Sequence, residues 1–479
     1  MHDALETRRC AGREPRDVTA HRAPQSSSEP GAVTGDDTSV DDRVVSPLRR
    51  LVTSPAARSG VLLLVFSLAG HIGNYLYYVL AARALSPAEF AEVSAMTGLA
   101  TIAFMPATGV QAAVARDVAA LTARGLAAEA AALARAVSRR VGLVQVGLLL
   151  VLCLGAPAAV AVLDLSSAWV WLAGSVWIVL GLGLQISLGV HQGRERFGLV
   201  GAVLGGPMGV LRPMLLIPFV LAAGVVGALA ALAAATVVGL VMTSWGARSR
   251  RGGTAGPARL PQVRTALIAL GAFASLTNID LLIAKVTLGP TEAGLYASAA
   301  LLGKIALYGP SALALMLLPK VTARVASSLS VRSPALLTMA ATVLTGAAVA
   351  VAIALAPASL AGAVFGEAYA GAYRLAAPLA AAMTLLALVH VHIMVSLARG
   401  DRVLIGIVAV AAVAQAAGLL LLGDTPGRMV LVTTIVAAGT LAAHELSSRY
   451  GFIRLGLREP QRHEASTASP AGAIDEEAT

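Results

Sequence analysis

Residues 277–320 read TNIDLLIAKVTLGPTEAGLYASAALLGKIALYGPSALALMLLPK, and the fold follows from how this stretch is built. Two apolar runs flank the turn signal LGPTE at 288–292, where Gly289 and Pro290 break any regular element. The runs are rich in Ala and Leu and do not alternate polar with apolar, which makes them helices rather than barrel strands. Extended back to residue 265, each run is about 20 residues long, enough to cross the hydrocarbon core of a bilayer. The segment is a pair of membrane-crossing helices joined by a tight turn. Asn278, Asp280, Lys285 and Lys304 sit inside the runs.

The same design extends over the chain. Of 479 residues, 57% are hydrophobic and 13% charged, with a mean hydropathy of +0.78. Soluble domains hold about 45–50% apolar and about 25% charged residues, so this chain has too few charges for a water-facing surface. Crossings are expected at 59–82, 90–114, 141–163, 167–190, 198–221, 223–245, 265–287, 292–317, 335–356, 375–398, 403–422 and 428–446. The fold class is therefore all-α and polytopic, with about twelve transmembrane helices.

A net charge of +10 would suggest nucleic acid in a soluble protein, but here the charges lie between apolar blocks and no nucleic-acid partner is expected. One set of loops carries Arg116, Arg124, Arg135, Arg139 and Arg140, then Arg194 and Arg196, then Arg248 to Arg264, Lys320 to Arg332, and Arg399 with Arg402. The alternate set carries only Arg83, Arg374 and Arg428. This bias places the basic loops and both termini in the cytoplasm, with the chain as a multi-pass membrane protein. The expected organisation is a disordered tail at 1–56, a six-helix lobe at 57–246 and a basic linker at 247–264. A second six-helix lobe at 265–446 and a tail at 447–479 complete it. Residues 115–140 carry Arg on one side and Ala/Leu on the other, and are expected to form a cytoplasmic helix lying on the membrane surface.

Two echoes support the division into halves. ARALSPAEF with Pro106 and Arg116 parallels KVTLGPTEAG with Pro310 and Lys320, and QGRERFGLVG at 192–201 parallels ARGDRVLIG at 398–406. Their shared order implies parallel repeats that enclose a central cleft. Prolines 106, 157, 207, 213, 218 and 310 fall inside crossings, where they kink helices or simply reflect the Pro content of membrane segments.

Each charge at mid-membrane costs about 2.5–3.5 kcal/mol, so Arg212, Asp280, Lys285 and Lys304 are functional candidates. Arg212 and Lys304 lie near the midplane, whereas Lys285 is close enough to a helix end to snorkel. On the first crossing Ser67, His71, Asn74, Tyr75 and Tyr78 share one helix face. Three cations against one carboxylate leave a surplus of positive charge, which a wet cavity receiving an anion explains and which suits phosphate at Arg212. The alternative is that Arg212 and Lys304 pair with Asp280 across the bundle. Asp280 stands open between ion pair, proton or ion-coupling site and structural partner. His390 and His392 diverge on a helix with no carboxylate or Cys cluster beside them, so no metal site is expected. No phosphate-binding loop and no Ser/His/Asp or Cys/His set is present, so neither ATP-driven transport by this chain nor enzyme activity is expected, and no cofactor is implied.

NYLYYVLAARALSPAEFAEVSAMTGLATIAFMPATGVQAAVAR (74–116), GVHQGRERF (189–197), the block 277–320 and FGEAYAGAYRLAAPLA (365–380) resemble polysaccharide-biosynthesis flippases. These belong to the multidrug/oligosaccharidyl-lipid/polysaccharide exporter (MOP) superfamily. The resemblance covers about residues 57–446. It implies two pseudo-symmetric six-helix lobes around a cationic cleft, and movement of undecaprenyl-pyrophosphate-linked oligosaccharide between leaflets by alternating access. Asn278, Asp280 and Lys285 fall on the family's N-x-D pattern in the seventh crossing, and Arg212 on an Arg usual in the fifth. Arg212, Lys304 and Lys285 would then hold pyrophosphate, Asn278 would join them, and His71, Asn74 and Tyr78 would meet sugar hydroxyls. Implied partners are the lipid-linked anionic glycan, membrane lipids, and the polymerase and glycosyltransferases of one pathway. A multidrug exporter of the same superfamily, or a membrane scaffold of a polysaccharide assembly complex, is the alternative.

Overall fold

The computed structural model describes residues 55–246, 261–327, 329–357 and 359–447. The expected tails, and the linker up to residue 260, lie outside the described residues. Among those described, every regular element is helical. Nine helical stretches are by length and composition able to cross a bilayer. One of them, Phe197–Ser244, is 48 residues long and turns at Ala223 and Gly224, so it makes two crossings. Helix Pro55–Ala84 and the pair Pro290–Gly303 and Ile305–Ala326 stand at the positions of the first and eighth expected crossings.

The turns follow from local chemistry. Ser86 accepts from the Glu89 amide while the Glu89 carboxylate returns to the Ser86 amide, a capping box that starts helix Pro87–Ala123. Gly224 at φ 53 supplies the left-handed residue that reverses the chain between the fifth and sixth crossings. The third crossing breaks at Gly155 between Ala127–Leu154 and Ala156–Leu163, with Pro157 in the first turn of the new helix, where its missing N–H costs nothing.

Residues 115–140 do not form the separate surface helix expected from their polarity pattern. The second crossing runs unbroken to Ala123, turns through Gly125 at φ 75, and the next helix begins at Ala127 and continues into the third crossing. The apolar side is covered by protein: Ala130, Leu133 and Ala134 pack with Val114, Val118 and Val190. Amphipathicity alone could not say whether lipid or a neighbouring helix covers that face.

The core is organised differently at the two ends. At the end away from the basic loops, one cluster joins both halves and includes Phe90, Trp171, Leu229, Ile283, Tyr296 and Tyr369. The Tyr369 hydroxyl donates to the Leu85 carbonyl there, Arg83 donates to the carbonyls of Ala363 and Val364, and the Gly294 backbone lies against Pro87. At the basic end the buried clusters are separate, one made mostly from the second half around Phe273, Leu317 and Met394, and two from the first half. The halves also meet along the second and seventh crossings, where Gly98 faces the Asn278 carbonyl and Gly271 faces Pro106.

Candidate functional site

The first-half centre is built by glycines. Gly201, Gly205 and Gly209 recur every four residues on the fifth crossing, a small-residue stripe that lets helices approach closely. A Cβ on Gly73 would lie 2.4 Å from the Gly209 carbonyl oxygen, and one on Gly70 would lie 2.7 Å from that of Leu204. Only hydrogen atoms fit between the first and fifth crossings here. The Gly209 end of this contact lies within a π-turn, Gly206–Leu211, and Arg212 follows it directly. Such turns insert an extra residue and concentrate at functional sites.

The guanidinium of Arg212 is 7% exposed and donates from Nη1 to Asn74 Oδ1 at 2.6 Å. Its Nη2 lies 3.6 Å from Met208 Sδ, and its carbon is 6.0 Å from the Trp177 ring centroid. Tyr78 interacts with Asn74 and with Thr97 of the second crossing, and lies within electrostatic reach of Arg212. Two donors here are buried without an acceptor, Arg212 Nε and Trp177 Nε1. His71, one turn before Asn74, is exposed.

The second-half centre has matching logic. The eighth crossing is interrupted at Lys304, between Pro290–Gly303 and Ile305–Ala326, with Gly303 seated against the backbone at Leu379 and Ala380. Lys304 is 4% exposed and donates to Asn278 Oδ1 at 2.9 Å. The Asn278 amide nitrogen in turn donates to the Ala274 carbonyl and to Thr277 Oγ1, which fixes its oxygen toward the lysine. Asp280 is fully buried, accepts from the Tyr296 hydroxyl at 2.9 Å, and has its Oδ1 without a partner. It lies within electrostatic reach of Lys304. Tyr296 also reaches Thr433, which accepts from Gln415 at 3.3 Å, so the eleventh and twelfth crossings join this network. Tyr308, one turn after Lys304, is solvent-accessible, and Tyr78 and Asp280 are both within its electrostatic reach.

The sequence-predicted residues divide accordingly. Arg212 with Asn74, and Lys304 with Asn278, form the two centres, and Tyr78 and Tyr308 are within electrostatic reach of each other. Arg212 and Lys304 bond to amide oxygens, not to Asp280. Lys285 is placed elsewhere: its ammonium donates to the Asp164 carbonyl and lies 3.6 Å from that residue's carboxylate, at the end away from the basic loops. Its charge is balanced there, so the central surplus is two cations against Asp280 rather than three. Trp177, Tyr296, Gln415 and Thr433 were not singled out by sequence reasoning. The glycine stripe was the available signal for the Arg212 centre.

The expectation that no carboxylate accompanies His392 does not hold. Glu445, 53 residues away in sequence, lies 3.1 Å from its Nε2, while His390 points the other way and stacks on Phe273. At the basic end of the first half, burial lowers Arg194 from its ordinary value, and Arg196 and Arg135 add to this by repulsion. That mouth is crowded with positive charge.

This arrangement of crossings recurs in solved structures of transporters. A multidrug resistance MATE transporter in an inward-facing conformation superposes with a TM-score of 0.63 at 13% identity, over 84% of this chain and 99% of that one. The lipid II flippase MurJ, in an inward closed conformation, gives 0.61 at 10% identity over 83% and 90%. The fold is that of the MOP superfamily. A eukaryotic MATE transporter, AtDTX14, shares it at 0.55 and 13% identity, over 83% of this chain and 99% of that one. The sequence resemblance thus holds for the superfamily's fold. No protein-family model and no curated protein matches the chain.

Proposed function

We propose that this protein is a MOP-type flippase that carries an anionic, pyrophosphate-linked oligosaccharide on a polyprenyl lipid from the cytoplasmic to the outer leaflet of a bacterial membrane. The observation that carries this reading is the state of Arg212 and Lys304. Each buried cation bonds to a neutral amide oxygen, which satisfies one donor and leaves the charge in place. Burying uncompensated charge costs several kcal/mol, so a helix bundle evolved for stability alone would not keep it. The unpaired Arg212 Nε and Trp177 Nε1 add two donors that phosphate oxygens would satisfy. Asn74, Tyr78 and Tyr308 supply amide and hydroxyl groups suited to sugars, and exposed His71 extends that polar face.

The divided core at the basic end, and the joint core at the other, support an alternating-access cycle in a state open toward the basic end. Asp280 is the candidate coupling site. Its orphan oxygen, beside Tyr296 and the Gln415–Thr433 pair, suits a proton or a small cation. Arg212→Glu and Lys304→Glu are expected to abolish glycan export while the protein remains folded in the membrane. Full export by both variants would remove these residues from the site.

The fold is shared equally with MATE transporters, so export of a drug is the second reading. A cavity for cationic drugs needs surplus acid, and this one holds surplus base. Resistance to cationic compounds conferred by the wild type and lost in Asp280→Asn, with glycan export intact, would favour that reading.

A further inference from the structure

His392 on the tenth crossing and His444 and Glu445 on the twelfth bring two ring nitrogens and a carboxylate oxygen within 4.8 Å of one another. Asp401, in the loop after the tenth crossing, adds Oδ2 at 3.7 Å from His444 Nε2. Both rings are 2% exposed. The cluster lies at the basic end and takes no part in the two central cationic sites.

The hydrogen bonds constrain what this cluster can hold. His392 Nδ1 lies 2.8 Å from the Leu388 carbonyl oxygen, which can only accept, so Nδ1 carries the proton. In the neutral ring Nε2 then presents a lone pair, and it presents it to the Glu445 carboxylate at 3.1 Å. Two acceptors that close need a positive species between them. His444 is placed similarly: its buried Nε2 faces the Asp401 carboxylate at 3.7 Å, a long contact, and its buried Nδ1 has no hydrogen-bond partner. An N–H bound to a backbone carbonyl, with the opposite nitrogen aimed at carboxylates, is how proteins fix the tautomer of a metal-ligating imidazole.

We propose that His392, His444, Glu445 and Asp401 form a site for a divalent transition metal, of which Zn²⁺ is the best match. Two imidazoles and two carboxylates are a borderline donor set, softer than the all-oxygen cages of Mg²⁺ or Ca²⁺. Tetrahedral zinc at 2.0–2.2 Å places its ligand atoms about 3.3 Å apart, so rotamer-scale movements close the cluster. Val403 N–H donates to Asp401 Oδ1 at 2.9 Å, which orients the carboxylate whose Oδ2 faces His444. The metal would tie the basic ends of the tenth and twelfth crossings to the loop between the tenth and eleventh. Glu445, the least buried ligand, marks the entry path.

The test uses the full-length protein, purified in detergent without a polyhistidine tag, stripped with chelator and titrated with ZnCl₂. Bound zinc is counted by elemental analysis and affinity measured by calorimetry. Because His2, His21 and His463 lie in the tails, the wild type is compared with His392→Gln, His444→Gln and the double variant. The expected result is one more zinc per chain in the wild type than in the double variant. Affinity at that site should fall at least tenfold in each single variant, and zinc should raise the melting temperature of the wild type only. Equal zinc content in the wild type and double variant would overturn the proposal. So would a melting temperature that responds to pH through these histidines but not to zinc, since a proton then fills the gap between His392 and Glu445. If His444→Gln does not fold, Glu445→Gln carries the same comparison.

Discussion

The two halves each bury one cation against an asparagine, yet they leave opposite chemistry unsatisfied. In the first half the orphans are donors, Arg212 Nε and Trp177 Nε1. Around the second cation they are acceptors, Asp280 Oδ1 and, further along the same network, Gln415 Oε1, beside a lysine already bonded to Asn278. The asparagines stand on the first and seventh crossings, but their cations come from the fifth and the eighth, so the two pairs are alike in chemistry and built from different contacts. On the function proposed above, the first half would take an anion, and the second an anion together with a cation or proton. Such an asymmetry is what a coupled carrier needs, because substrate and driving ion must be held differently.

The largest effect should come from breaking the asymmetry. Asp280→Asn replaces the acceptor with a neutral amide and is expected to abolish dependence of transport on the coupling cation while exchange down a gradient persists. Transport by reconstituted protein, with and without an ion gradient, measures this; an unchanged response would make Asp280 a structural partner of Tyr296. Next in size is Arg212→Lys, which keeps the charge and loses the fork. A loss of about tenfold in transport rate is expected, near the value of one hydrogen bond to a charged group. Gly73→Ala tests the scaffold. Its Cβ would sit 2.4 Å from the Gly209 carbonyl, so the first crossing must move away and carry Asn74 with it. A destabilisation of about 1–3 kcal/mol should appear in thermal unfolding in detergent, as for overpacking in general. Gly439→Ala, with nothing within 4 Å of the new atom, should show no such loss. The smallest effect is expected at Lys285→Gln. Its ammonium bonds to Asp164 at the end away from the two centres, so transport should barely change even though the substitution removes a buried donor.

Much of this was legible in the sequence. Continuous apolar runs located the crossings, since a helix in lipid satisfies its own backbone, and the asymmetry of the basic loops grouped them. Arg212, Lys304, Asn74 and Asn278 stood out because polar groups inside apolar runs are costly. Their pairing was not legible. Asn74 and Arg212 are 138 residues apart, and no periodicity connects one helix face to another. Trp177 and Tyr296 were invisible for a different reason, because an aromatic residue in an apolar helix looks the same whether it packs or binds. Lys285 was ambiguous until the end of the third crossing was placed beside it. His392 looked solitary because its partners, His444 and Glu445, come from the last crossing.

The π-turn before Arg212 bears on how this site is inherited. It holds one residue more than an α-turn, so everything after Leu211 is rotated by about 100° relative to an unbroken helix. The guanidinium therefore faces Asn74 because of a chain length, not because of any side chain. A sister protein with one residue fewer between Gly201 and Arg212 would keep every group named above and turn its arginine away from Asn74. Alignments that count residues but ignore this extra one would mark such a protein as equivalent, and its transport would say otherwise.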